Sequence, residues 1–172
     1  FPEIGVETLN PEQKRSSAGS KNFPDIFLGL ISTGFISAKH LSIEKTIELY
    51  LGKNQVQNFL EDPILQKLNT SKISYLSGGE LRYLEIKLLL HTDCKFILLD
   101  EPFNGVSPIL VGEIKKLILK TSEFKGIILT DHDYRNVLNV ANRFCMIYDG
   151  GIKRIDDKDE LVRWGYILRL LE

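Results

Sequence analysis

The chain has 172 residues, of which 43% are hydrophobic and 26% charged, a composition typical of a globular domain rather than a disordered chain. Its formal net charge of −1 gives no overall attraction to nucleic acid or to an anionic membrane surface. The two cysteines, Cys94 and Cys145, form no CxxC pair, which fits a reducing, cytosolic compartment and excludes a structural zinc site. The apolar run 26–38 is shorter than the roughly 20 residues that span a bilayer.

Residues 1–25 contain three prolines and no periodic pattern, which predicts loop with room for one short strand. The string Gly19–Lys21 only faintly resembles a phosphate loop. The motif G-x-x-x-x-G-K-[ST] needs a glycine at position 14 and a lysine at position 20, where the chain has Lys14 and Ser20. Because the chain begins with Phe1 rather than Met, we expect it to be an excerpt of a longer protein.

Apolar residues at helical spacing predict a small helical subdomain over about 42–74, with a break near Pro63. The rest of the chain alternates between helices and apolar strands, which predicts an α/β fold with a mainly parallel sheet. In chain order we predict helix 79–91, strand 96–99, helix 108–121 capped by Ser107, strand 126–130, helix 133–142, a hairpin of 144–148 with 152–155, and a closing helix 156–171.

A serine and two glycines stand at the predicted start of helix 79–91. Ser77, Gly78 and Gly79 would present backbone N–H groups at the positive end of a helix dipole, and glycines let a phosphate approach the backbone closely. The string also fits a serine-capped turn, since short runs of glycine and serine are common. The pattern therefore indicates either an anion-binding helix start or a simple capped turn.

Two carboxylates follow strand 96–99 directly, at the sheet edge where ligands bind in open α/β folds. Asp100 can hold Mg²⁺ there, usually through water. Side chains alternate along an extended segment, so Glu101 points elsewhere and can align or deprotonate an attacking water. The alternative is a plain acidic turn before Pro102. The glycine string earlier in the chain favours the phosphoryl-transfer interpretation.

His132 follows strand 126–130 at the same predicted edge of the sheet. A histidine there can contact a terminal phosphate or order the attacking water. The alternative is a histidine that only makes a hydrogen bond at a strand end. The position beside the two carboxylates favours the functional interpretation.

These residues together resemble the ATP-binding cassette (ABC) ATPases, most clearly over 73–155. Leu76–Glu80 match the LSGGQ/E signature of that family. Residues 96–101 match its Walker B strand and catalytic glutamate, and 130–132 match its switch histidine.

Residues 103–108 stand where the family has its D-loop, with Ser107 at the position of the D-loop aspartate. The sequences after Glu101 and Thr130 are most similar to the lipopolysaccharide-export type and its branched-chain amino-acid relatives.

The resemblance implies a P-loop NTPase-like core of the ABC type with a small helical subdomain. It divides the chain into an N-terminal remnant (1–25), a lid or Q-loop region (26–41), a helical subdomain with the signature (42–90) and a portion of the catalytic core (91–172).

It also implies an ATPase whose ligands are ATP and Mg²⁺. Two cassettes would pair head to tail, as a homodimer or with another cassette, and Ser77–Glu80 of one would cap the nucleotide held by the other. Glu101 would polarise water, Asp100 would order Mg²⁺ and His132 would sense the γ-phosphate. The dimer would drive a transmembrane permease through the helical subdomain, at the cytoplasmic face of the cell membrane. No nucleic-acid partner is expected.

Three departures from the family pattern bear on activity. No Walker A phosphate loop occurs in 1–172, so its lysine and its Mg²⁺-binding hydroxyl are missing. Segment 26–40 has no glutamine at the expected lid position, and Ser107 replaces the D-loop aspartate. We expect these residues alone to bind ATP weakly, with hydrolysis depending on a phosphate loop upstream of Phe1.

Two alternatives stay open beside the transporter ATPase. A non-transport ABC ATPase that acts on DNA or ribosomes is disfavoured by the EPFNG string at 101–105, since ribosome-acting types usually carry EPTNHLD. A truncated or degenerate cassette that serves as a non-hydrolysing interaction module is favoured by the missing Walker A.

Overall fold

The computed structural model describes residues 4–8, 28–31, 36–157 and 159–165. Its centre is a six-stranded sheet with the strand order β2-β3-β4-β1-β5-β6. The strands are β1 (Ile4–Thr8), β2 (Leu28–Ile31), β3 (Phe96–Asp100), β4 (Gly126–Asp131), β5 (Phe144–Tyr148) and β6 (Gly151–Ile155).

The parallel part of the sheet is formed by β2, β3 and β4. Ile97 and Leu99 of β3 and Ile127 and Leu129 of β4 are fully buried, so apolar burial fixes the register of these strands. In that register Asp100 lies opposite Thr130. The carboxyl ends of β3 and β4 therefore meet at one edge, and the predicted α/β fold is confirmed.

The other three strands make the sheet mixed rather than parallel throughout. β1 inserts between β4 and β5 and is antiparallel to both, and β5 and β6 form the predicted antiparallel hairpin. The parallel arrangement thus holds for the three strands around the carboxylates. The short strand expected within 1–25 is confirmed as β1, whereas Gly19–Lys21 and 32–35 lie outside the described residues.

Helices pack against the sheet, and three short helices fall in the range 42–74 that the sequence predicts to be helical. Ser42 caps the first helix through a hydrogen bond from the Lys45 N–H to its hydroxyl oxygen, at 3.2 Å. The helices are α1 (Ile43–Leu51), α2 (Val56–Leu60), α3 (Pro63–Gln66), α4 (Gly78–His91), α5 (Pro108–Ser122), α6 (Tyr134–Val140) and α7 (Asp159–Arg163), with 3₁₀ turns at Lys53–Gln55 and Ile73–Tyr75.

A buried ion pair joins the start of α3 to α4. Lys87 Nζ lies 2.6 Å from Asp62 Oδ2, and the two side chains are only 8% and 10% exposed. The Tyr83 hydroxyl donates to the same oxygen at 2.6 Å, while Asp62 Oδ1 caps α3 by accepting from Ile64 and Leu65. One carboxylate therefore connects α3 with the middle of α4.

The closing helix differs from its predicted extent within the described residues, and residues 166–171 of that prediction lie outside them. The closing helix begins at Asp159 rather than 156, because the Asp157 side chain accepts the Asp159 N–H at 3.1 Å and forms a turn. The helix ends at Arg163, ahead of Gly165 with its positive φ of 68°. Ser107 precedes α5 as predicted, but its side chain accepts no capping hydrogen bond.

Among the described residues no helix is both long and apolar enough to cross a lipid bilayer.

Candidate functional site

Asp100 ends β3, and Thr130 is the next-to-last residue of the neighbouring parallel strand β4. The Thr130 hydroxyl donates to Asp100 Oδ1 at 2.7 Å, which fixes the orientation of the carboxylate at the sheet edge. Asp100 is exposed, so its carboxylate faces the space beyond the strand ends. The parallel register places these two side chains together, as the sequence predicts.

Glu101 begins a tight turn in an uncommon backbone conformation. Its φ is 45°, which costs a residue with a Cβ energy unless the surroundings hold it. The Glu101 N–H donates to the Thr130 carbonyl at 2.9 Å, and its own carbonyl accepts from Asn104 N–H at 3.2 Å. Asn104 also donates its side-chain amide to Glu101 Oε2 at 3.0 Å. The turn thus fixes both the backbone and the carboxylate of Glu101.

His132 reaches the same carboxylate from β4. Its Nδ1 lies 3.5 Å from Glu101 Oε1, and the two side chains are 66% and 43% exposed. Water and a ligand can therefore reach both groups. The structure brings Asp100, Glu101 and His132 together at one edge, as expected from the sequence.

Asp131 is the buried partner of this exposed group. It accepts hydrogen bonds from Phe103 N–H at 3.3 Å and from Asp133 N–H at 2.8 Å. Burial raises the pKa of Asp131, and the two N–H donors partly offset that effect. Its carboxylate ties the turn after Glu101 to the segment that carries His132.

The Ser77-Gly78-Gly79 string starts α4 with a complete capping box. The Ser77 oxygen accepts from Glu80 N–H at 3.3 Å, while Glu80 Oε2 accepts from the Ser77 N–H at 2.8 Å and from its hydroxyl at 2.7 Å. Gly78 and Gly79 provide the first N–H groups of the helix, which have no acceptors inside an α-helix. The capped turn is therefore confirmed, whereas anion binding stays a prediction, for which Ser77 and Gly78 are exposed at the helix start.

The start of α4 packs against the loop that leads into α5. A Cβ added to Gly79 would lie 3.4 Å from Leu110 Cδ1 and 3.8 Å from the Gly105 carbonyl oxygen. The position of Ser107 in this loop is exposed. The glycine string, the loop of 103–108 and the Asp100–Glu101 turn are therefore neighbours in one chain.

An open groove of about 500 Å³ runs beside His132, between the loop of 103–108, α5 and the start of α6. Lys115 of α5 lines the groove. Burial lowers the pKa of Lys115, and the negative charges of Asp133 and Asp131 offset this effect in part. Asp131 and Asp133 line the same groove beside His132 and Lys115, so its wall carries charges of both signs.

Asp100 offers a single carboxylate for a metal ion. Among the described residues no cluster of three or more histidine, cysteine, aspartate or glutamate side chains could hold a metal. This donor set fits Mg²⁺, which keeps several waters and binds through one or two carboxylates together with phosphates. It does not fit zinc, which needs three or four protein ligands.

The sequence pointed to the exposed members of this site and missed the groups that hold them. Asn104 orients the Glu101 carboxylate, Asp131 ties two loops together, and Arg82 donates to the main chain at Asp100 and Glu101. Asp131 lies inside the matched Thr130–His132 string and could have been found there. Arg82 sits on the apolar face of a helix and gives no local signal.

Comparison with known proteins identifies relatives along most of the chain. It is 40% identical over 149 residues to an ABC transporter ATP-binding protein of Rhizobium meliloti (strain 1021), covering 84% of this chain and 54% of that protein. It is 33% identical over 132 residues to the lipopolysaccharide export system ATP-binding protein LptB of Escherichia coli (strain K12), covering 76% and 54%. The chain thus spans about half the length of the curated relatives it matches. No model of a protein family matches it.

Solved structures give the same fold. A nucleotide-free ATP-binding cassette from an ABC transporter superposes with a TM-score of 0.64 at 21% identity, over 79% of this chain and 63% of that one. By sequence the chain is therefore a homologue of ABC transporter ATP-binding proteins, and its fold is that of an ATP-binding cassette.

Proposed function

We propose that the chain is part of the ATP-hydrolysing subunit of an ABC transporter. The observation that carries the proposal is the meeting of Glu101 and His132, 3.5 Å apart, beside Asp100 at the carboxyl ends of β3 and β4. The relatives named as ABC transporter ATP-binding proteins, LptB among them, support the transport role.

The roles of the side chains follow from their positions. Glu101, held by Asn104, would align a water and take its proton as the water attacks the γ-phosphate of ATP. His132, on the same edge, would contact that phosphate. Asp100 would hold Mg²⁺ through water, and the ion, when bound, would neutralise phosphate charge. Ser77, Gly78 and Gly79 would cap a nucleotide held by a second cassette, with Glu80 and the Ser107 position beside them.

Exposed apolar side chains support pairing with a second cassette, as a homodimer or with a related chain. Tyr75, just before the glycine string, is 76% exposed, and Ile109, just after Ser107, is 80% exposed. Both flank the half-site that a head-to-tail partner would cover. The helical subdomain of 42–90 would then contact a transmembrane permease at the cytoplasmic face of the membrane, beside the catalytic core of 91–172.

The proposal is tested by comparing ATP hydrolysis with and without a phosphate loop, which the 172 residues do not contain. ATP binding and hydrolysis should be measured for the 172-residue chain and for the native gene product that contains it. We expect the chain alone to be nearly inactive, because the 172 residues hold no Walker A lysine, and the native product to hydrolyse ATP. A native product that neither binds nor hydrolyses ATP would contradict the proposal.

Replacing His132 with alanine should lower ATP hydrolysis by about 100-fold, the usual effect of losing one donor to a transition-state phosphate. ATP binding should change little, since most of the binding energy would come from the phosphate loop. Phosphate release and binding of a fluorescent ATP analogue separate the two effects. The matched control is His40→Ala, because His40 is likewise exposed and lies in a turn shortly before α1. Equal hydrolysis by His132→Ala and the control would remove His132 from the mechanism.

A second candidate function is a non-hydrolysing interaction module, favoured by the absence of Walker A from the 172 residues. Such a module would supply only Ser77–Glu80 to a nucleotide on another chain. The same assay decides, because in this case the native product would be inactive alone and would stimulate hydrolysis by a partner cassette.

A further inference from the structure

Arg82 is a buried arginine on α4, placed directly beneath the turn that carries Glu101. Its residue exposure is 7%. One guanidinium nitrogen, Nη2, donates to the Asp100 carbonyl at 2.8 Å and to the Glu101 carbonyl at 2.9 Å. Both bonds reach main-chain atoms, so Arg82 acts on the backbone of the turn and not on its carboxylates.

These two carbonyls belong to the peptide groups on either side of the Glu101 Cα. The orientation of the first depends on φ of Glu101 and that of the second on ψ. Fixing both peptide groups therefore fixes the Glu101 backbone, whose φ of 45° would otherwise relax toward a commoner region. The direction in which the Glu101 side chain leaves the backbone follows from that conformation.

The remaining contacts of Arg82 show that burial of this side chain is costly. Its Nη1 is buried and makes no hydrogen bond in the described part of the chain. The nearest carboxylate, Glu85 Oε2, lies 4.0 Å from Nη1, and the other oxygen of Glu85 accepts from Ile36 N–H at 3.0 Å. An apolar side chain would fill the same place without an unsatisfied donor, so packing alone does not account for the arginine.

We propose that Arg82 is a positioning residue, which holds Glu101 in its catalytic orientation from the helix that begins at Ser77. The distance along α4 from Ser77 to Arg82 is about 7.5 Å, little more than one helical turn. When the glycine-rich start of α4 moves, Arg82 therefore moves with it and shifts the backbone of Glu101 in the same chain. This inference rests on the proposed function of Glu101.

The test compares Arg82→Met and Arg82→Lys with Glu85→Gln in the native gene product. Methionine keeps the apolar stem and removes both hydrogen bonds, so kcat should fall about 10- to 100-fold while KM for ATP stays within about 3-fold. Lysine can keep one donor to the carbonyls and should lower kcat about 3- to 10-fold. Glu85→Gln perturbs the buried neighbour of Arg82 without touching the turn, and its kcat should stay within about 2-fold of the wild type.

Amide hydrogen exchange provides a readout independent of activity. The Glu101 and Asn104 N–H groups, which bond to the Thr130 and Glu101 carbonyls, should exchange at least about 10-fold faster in Arg82→Met. In Arg82→Met the Leu99 amide of β3 should keep its wild-type exchange rate. In Glu85→Gln the amides of Glu101 and Asn104 should keep theirs.

The outcomes separate the inference from the proposed function. If the unsubstituted gene product has no ATPase activity, the proposed function is overturned. The rate of amide exchange at Glu101 in Arg82→Met then still tests whether Arg82 holds the turn. Wild-type exchange at Glu101 and Asn104 in Arg82→Met overturns the inference, as does a kcat within about 2-fold of the wild type. If the methionine variant does not fold, wild-type kcat and exchange in Arg82→Lys overturn it instead.

Discussion

Glu101→Gln should lower ATP hydrolysis by about 10²- to 10⁴-fold, the range that a general base contributes. Glutamine has nearly the same shape and still accepts from the Asn104 amide, whose bond to Glu101 Oε2 is 3.0 Å long. It cannot take a proton from water. The variant should therefore keep its fold and its affinity for ATP and lose turnover, which is measured as phosphate release by the native gene product.

The same variant should collect in an ATP-bound, paired state, because closure no longer leads to hydrolysis. Size-exclusion chromatography with and without ATP detects such a dimer. Glu113→Gln is the matched control, since Glu113 lies on α5 and pairs with the exposed Lys116, at 2.7 Å. If Glu101→Gln retains more than about a tenth of wild-type turnover, Glu101 is not the general base.

Asp62→Ala should lower the free energy of unfolding by about 3–5 kcal/mol, the usual effect of breaking a buried ion pair. The substitution leaves the Lys87 ammonium buried, with only the Phe59 carbonyl at 3.3 Å and the Phe59 ring at 4.7 Å as partners. It also removes the cap of α3 and the acceptor of the Tyr83 hydroxyl. For a chain of this size the loss corresponds to a fall in Tm of roughly 6–20 °C.

Urea denaturation measures this loss, and pH tests its cause. Burial alone would raise the pKa of Asp62, but hydrogen bonds from Lys87 and Tyr83 outweigh it and hold the pKa below its ordinary value. A lowered pKa contributes stability above the unfolded-state pKa of about 3.9, and this stability is lost as pH falls through the folded-state pKa. The difference between wild type and Asp62→Ala should therefore be full at neutral pH and shrink in acid.

The control for Asp62→Ala is Glu113→Ala, which breaks an ion pair whose side chains are 37% and 73% exposed. Exposed pairs contribute about 0–1 kcal/mol, so this variant should unfold almost like the wild type. A loss below about 1 kcal/mol in Asp62→Ala would show that the buried pair does not join α3 to α4 energetically.

The parts of the site that could be predicted from the sequence are those whose geometry is local. A buried strand followed by Asp100 and Glu101, and a second strand followed by His132, have to meet when the strands are parallel neighbours. The helix start at Ser77 follows from a serine, two glycines and a glutamate at capping-box spacing. Each of these inferences uses a few consecutive residues and one rule of chain geometry.

What the sequence could not predict depends on contacts between distant segments. The insertion of β1 between β4 and β5 pairs Ile4 with Asp131 and with Met146, and nothing within 1–25 specifies those partners. The contact of Arg82 with the Glu101 turn likewise depends on how α4 crosses β3. The predicted closing helix also differed within the described residues, where α7 ends at Arg163 ahead of Gly165 with its positive φ.

The capping box at the start of α4 sets a condition on any lid function of that helix. Before a nucleotide arrives, the Ser77 hydroxyl already donates to the Glu80 carboxylate at 2.7 Å. A phosphate oxygen that takes the same hydrogen displaces that carboxylate, and the two groups repel because both are anionic. The Glu80 carboxylate therefore competes with a phosphate oxygen for the hydrogen bond of the Ser77 hydroxyl. If the string caps a nucleotide on a second cassette, as proposed, Glu80 would set how readily Ser77 is released to that triphosphate.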